Sequence, residues 1–167
     1  DERRLGGRQV TRGIEEPLFF TPRVLEKVWG GARIAKEFGR AIPSGVNPAR
    51  VGESWEVSEI PGLETRVRGG AYHGRTLGQL RHRFPDDLPF RLPLVKFIDT
   101  TRNLSVQVHP SSTDARRLGE VDSAGRRLDG KTECWYILSA ERTSKIWLGF
   151  SPKVSSVSAT EFHDGVS

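Results

Sequence analysis

Ser105, Gln107 and His109 recur at every second position of Leu104-Ser105-Val106-Gln107-Val108-His109-Pro110, and Lys131 and Glu133 repeat that spacing in Gly130-Lys131-Thr132-Glu133-Cys134-Trp135-Tyr136. In an extended strand, residues two apart project from the same face. The first stretch therefore predicts a polar face bearing a hydroxyl, an amide oxygen and an imidazole, backed by Leu104, Val106 and Val108. The second stretch adds an ammonium and a carboxylate. Imidazole nitrogen, carboxylate and amide oxygen together form a donor set suited to a divalent metal. A half-exposed strand with an ordinary polar side explains the same spacing without a metal, and spacing alone leaves both readings open.

Lys96 is the only charged residue in Leu92-Pro93-Leu94-Val95-Lys96-Phe97-Ile98. Burying an unpaired ammonium costs several kcal/mol. Lys96 must therefore reach solvent from an edge strand, pair with a carboxylate, or meet an anion. Cys134 is the single cysteine, so an intrachain disulfide framework is excluded. Strand alternation turns it away from Glu133 and predicts a buried, inert thiol.

The elements that would position these residues are short. Residues 1–16 are charged and glycine-bearing, offer little to bury, and predict a disordered tail, with the ordered part running over 17–167. A weak helical pattern covers 31–38 and a loop spans 43–48. Residues 53–59 alternate as a half-buried strand, with 63–67 expected as its hairpin partner. Thr76 caps a short helix that ends before Pro85. Strands are predicted over 92–99, 104–109, 133–138 and 145–150, a short helix from Pro110 through Leu118, and another helix over 155–162. Short strands punctuated by Gly and Pro point to a mainly β sandwich or jelly roll.

The 167 residues suffice for one domain, and 35% hydrophobic content marks a globular chain. The net charge of +5 invites a nucleic-acid reading. The basic residues are scattered, however, and clusters such as Arg81-His82-Arg83 have no interleaved aromatics for base stacking. A solvated basic surface, or a small anionic substrate, accounts for the charge. No apolar run approaches the ~20 residues that span a bilayer, and residues 1–16 lack the apolar core of a secretory leader. The expectation is a cytoplasmic protein with no nucleic-acid or membrane partner.

The two motifs over 104–110 and 130–136 resemble the signature pair of type I phosphomannose isomerases. Val28-Trp29-Gly30-Gly31, residues 52–58, Gly74-Arg75-Thr76-Leu77 and residues 92–96 agree with that family in the same order, so the resemblance covers about 17–165. It implies a cupin-type jelly roll, complete or incomplete, with a few short helices. It also implies one zinc ion bound by Gln107, His109 and Glu133, with Lys96, Ser105 and Lys131 near the phosphate of a sugar substrate. The implied reaction interconverts mannose 6-phosphate and fructose 6-phosphate by proton transfer between C1 and C2 through an enediol, with Lys131 a candidate base.

The family pattern further includes a later metal-binding histidine and an arginine that these 167 residues do not contain. His163 sits in a segment resembling a helix and loop of the family, not its later metal strand. The chain is accordingly expected to be an N-terminal segment with little or no isomerase activity alone. A non-catalytic sugar-phosphate-binding or regulatory cupin module is the rival expectation.

Overall fold

The computed structural model describes residues 13–149 except positions 91, 120, 122–124, 126 and 128. The tail expected over 1–16 falls mostly outside this range, as do His163 and the helix expected over 155–162. Among the described residues, five strands and three short helices occur in the order β1 (Phe20–Thr21), β2 (Arg23–Gly31), α1 (Arg33–Glu37), β3 (Val51–Val57), β4 (Arg66–Val67), α2 (Leu77–Arg83), β5 (Val95–Ile98) and α3 (Ser112–Leu118).

β3 is the central strand of an antiparallel sheet ordered β2-β3-β5. That placement corrects the half-buried expectation, because Val51 through Trp55 are all buried, including Glu53 and Ser54. The expected hairpin is only begun: the Thr65 N–H returns to the Ser58 carbonyl at 3.0 Å, but β4 then pairs with β1, as Val67 with Phe20 and Arg66 with Thr21. The long strand β2 carries a pairing irregularity between Glu26 and Gly31. There Gly30 lies directly on the backbone of Arg50 and Gly52, where a side chain has no room. Val24, Ile34 and Val51 form the core on this sheet, with Ile42, Val46 and Phe97 packed against it.

Local signals place the helices. Thr76 accepts from the Gln79 N–H while the Gln79 side chain accepts from the Thr76 N–H, a reciprocal cap that starts α2. Ser111 caps α3 through the Asp114 N–H, and Gly119 closes it at φ +68°, a left-handed conformation suited to glycine.

Arg81 in α2 is not part of a solvated basic surface. Its guanidinium grips both carboxylate oxygens of Glu59, at 2.5 and 2.8 Å, and its Nε donates to the Pro89 carbonyl at 2.8 Å. The Glu59 contact pushes the Arg81 pKa up from its ordinary value. Arg81→Met keeps the stem but removes both guanidinium contacts to the Glu59 carboxylate, and is expected to cost about 2 kcal/mol of stability, between exposed and buried pairs. Urea unfolding measures the loss, and an unchanged midpoint would contradict a structural role for the pair.

The chain divides into two compact units, Asp1–Val106 and Gln107–Ser167. The second contains α3 and the segment that follows it. Residues 104–109, 133–138 and 145–149 form no strand among the described residues, although their sequences alternate. Alternation describes a chain prepared for a sheet, but a strand exists only where a neighbour completes the ladder. One backbone bond, from the Lys131 N–H to the Pro110 carbonyl at 3.3 Å, ties the two motif segments. Lacking cover, Cys134 is exposed, which corrects the buried thiol expected from alternation.

Candidate metal and phosphate site

Glu133 gathers the chemistry of the second unit. Its Oε2 receives the His109 Nε2 at 2.6 Å and the Lys131 Nζ at 2.8 Å, while Oε1 receives the Trp135 indole N–H at 2.8 Å. Lys131, Glu133 and Trp135 thus meet on one side of the chain, as their two-residue spacing predicts. The His109 and Glu133 side chains keep 29% and 20% of their surface, so solvent and small solutes reach the pair.

These contacts hold the Glu133 pKa at about 2, below the ordinary 4.5. The Lys131 hydrogen bond is the largest cause, partial burial opposes it, and the Trp135 and His109 contacts add to the lowering. Near neutral pH the carboxylate is ionised and accepts only, so Nε2 of His109 carries the proton in their hydrogen bond. A lowered folded-state pKa means that the stabilisation is complete above the unfolded value of 4.5 and disappears as pH falls through about 2. Carboxyl-carbon NMR of the metal-free chain is expected to show Glu133 titrating near 2, and a midpoint near 4.5 would contradict this contact set.

Among the described residues, no three His, Cys, Asp or Glu side chains form a cluster able to hold a metal. The donor chemistry nevertheless fits a divalent ion, because an imidazole nitrogen and an ionised carboxylate oxygen lie 2.6 Å apart and both become donors once a cation displaces the proton between them. Gln107 lies two residues before His109 in the same unit, with an amide oxygen as a further donor type. Ser105 is exposed and belongs to the first unit.

Lys96 also belongs to the first unit, on β5 opposite Trp55 of β3. Directly opposed residues of antiparallel strands share a face, so Lys96, Trp55 and Glu53 project together. Lys96 Nζ lies 3.5 Å from Glu53 Oε1 and 5.8 Å from the centre of the Trp55 ring. The Trp55 indole donates to Glu53 Oε2 at 2.6 Å. Sequence reasoning missed Glu53, yet a signal was present. Its position shares parity with Trp55 and Val57, so a carboxylate falls on an otherwise apolar strand face.

Residues 18–133, a stretch that includes all six candidate residues, match the family model for the catalytic domain of phosphomannose isomerase type I. The mannose-6-phosphate isomerase of Streptococcus mutans is 38% identical over 146 residues, covering 84% of this chain and 42% of that protein. Mannose-6-phosphate isomerase ManA of Bacillus subtilis is 39% identical over 141 residues, covering 80% of this chain and 41% of that protein. The crystal structure of the mannose 6-phosphate isomerase from Bacillus subtilis matches with a TM-score of 0.60 and 35% identity, over 76% of this chain and 39% of that one. The mainly β, cupin-type fold class expected from the motifs agrees with that neighbour. The chain spans about two fifths of the length of these relatives. With its family pattern matched over 18–133, the chain belongs to the type I phosphomannose isomerase family.

Proposed function

We propose that this chain supplies metal-binding and phosphate-contacting residues of a mannose-6-phosphate isomerase, which interconverts mannose 6-phosphate and fructose 6-phosphate. The observation that carries the reading is the meeting of His109, Lys131 and Trp135 on the Glu133 carboxylate. In it, His109, Glu133 and Gln107 hold one zinc ion. That ion, when bound, would polarise the substrate oxygens and stabilise the negative charge that develops as the C2 proton leaves.

The chain's own groups have separate tasks. Lys96, Ser105 and Lys131 contact the sugar phosphate, two ammoniums and a hydroxyl being suited to a dianion. Lys131 is also the candidate for moving a proton between C1 and C2, since its amine lies 2.8 Å from a carboxylate assigned to the metal. Trp135 fixes the second oxygen of Glu133, which orients the carboxylate. Among the described residues no helix is long and apolar enough to cross a membrane. A cytoplasmic location accompanies the metabolic substrate in this proposal.

Metal analysis of the purified chain, with a coupled assay for fructose 6-phosphate, tests the reading. The expected result is about one zinc per chain, lost in Gln107→Ala and His109→Ala. Little or no turnover is expected from this length alone. Variants that keep the metal would overturn the ligand assignment. Tight sugar-phosphate binding without any metal would favour a non-catalytic binding module instead.

A further inference from the structure

Glu53 has no part in the chemistry above, yet among the described residues it is the one charged side chain that is buried, 8% exposed on the central strand. A carboxylate there is costly. Replacing a buried ion pair by apolar side chains is often neutral or stabilising, so sheet stability is a poor reason for this one. Its contacts indicate another reason. One oxygen takes the Trp55 indole at 2.6 Å, which fixes the carboxylate, and the other faces the Lys96 ammonium at 3.5 Å. Lysine has a flexible four-carbon stem, and here its end is flanked by a carboxylate and the neighbouring Trp55 ring.

The second unit uses the same arrangement. Glu133 is followed two residues later by Trp135, whose indole N–H takes one oxygen, while Lys131 takes the other at 2.8 Å. Two glutamate-x-tryptophan pairs, Glu53–Trp55 and Glu133–Trp135, therefore each hold one lysine. The lysines they hold are the two assigned above to the sugar phosphate. Each ammonium has three donors, so a carboxylate contact leaves donors for a phosphate oxygen.

We propose that Glu53 is a positioning residue, locked by Trp55, that aims the Lys96 ammonium at the phosphate of the sugar substrate. This rests on the assignment of Lys96 to the phosphate, and the two are separable by experiment. In the zinc-loaded chain, Glu53→Gln is expected to weaken mannose 6-phosphate binding about tenfold, the scale of one charge-assisted hydrogen bond, while Lys96→Met weakens it at least as much. The double variant should lose no more than Lys96→Met alone.

NMR supplies a readout that a merely structural role would not move. In wild type the Lys96 Cε protons should be shifted by the Trp55 ring, and Glu53→Gln should relax that shift while the surrounding amide spectrum stays folded. Trp55→Phe, which keeps a ring but loses the indole N–H, should give a smaller loss of binding in the same direction. If Lys96→Met weakens binding and Glu53→Gln does not, the positioning role is overturned and the phosphate assignment stands. If neither matters, or wild type does not bind the sugar phosphate, the phosphate assignment fails and the positioning role falls with it. An unchanged Lys96 resonance in a folded Glu53→Gln chain also overturns the proposal.

Discussion

Gly30→Ala is expected to destabilise the first unit by about 3 kcal/mol or more, at the upper end for forcing atoms into a packed interior. A Cβ at Gly30 would collide with the Arg50 carbonyl oxygen and come within 2.5 Å of the Gly52 nitrogen and 2.7 Å of the Arg50 carbonyl carbon. All three are backbone atoms at the start of the central strand, so no side chain can swing aside. β2 and β3 must separate, and β3 carries Glu53 and Trp55. Gly62→Ala is the control: its φ of +80° makes alanine strained, but nothing lies within 4 Å, and the expected cost is only about 1 kcal/mol. Urea midpoints compare the two, and equal losses would show that crowding at Gly30 is not the cause. Gly31→Ala should fall between them, since its Cβ meets the Asp99 carboxylate, a side chain that can rotate.

Glu133→Ala is expected to lower zinc affinity about 100-fold or more, above the usual cost of losing an outer-shell contact to a metal ligand. It removes the oxygen proposed as a metal donor and leaves His109, Lys131 and Trp135 without their shared acceptor. Glu133→Gln separates these effects, because the amide oxygen can still accept from Trp135 while the charge is gone. Most of the affinity should be lost in Glu133→Gln as well, with the fold intact by circular dichroism. Competition against a chromophoric chelator reads both constants. Affinities within tenfold of wild type in both variants would remove Glu133 from the metal site.

Features governed by neighbours in the chain were legible from the residues themselves. The reciprocal Thr76–Gln79 cap and the Ser111 cap need only a few consecutive residues, and α2 and α3 begin where those residues place them. The two-residue spacing of Lys131 and Glu133 likewise brought their side chains together, while Trp135 on the same side was missed. Pairings between distant segments were not legible. Residues 63–67 were close enough to β3 to suggest a hairpin, yet β4 pairs with β1, a choice that no local pattern encodes. β2 was recognised only through Val28-Trp29-Gly30-Gly31 and not as a nine-residue strand, because its alternation is broken where Gly30 approaches β3. The burial of β3 was hidden for a related reason. Its polar residues suggested a wet face, but Glu53 is held by Trp55 and Lys96, Ser54 donates to Glu56, and Glu56 pairs with Arg40.

The central position of β3 has a kinetic side. Its two neighbours are unequally distant along the chain: β2 is separated from it by one helix and a loop, whereas β5 arrives only after β4 and α2. Closing the shorter loop costs less entropy, so the β2–β3 pair is expected to zip first and β5 to dock later. Until β5 docks, the outer edge of β3 shows unpaired amides beside Trp55 and Val57, an open template for another nascent chain. Yield on refolding should therefore fall with protein concentration, and a peptide spanning Val95–Ile98 should protect it by occupying that edge in trans.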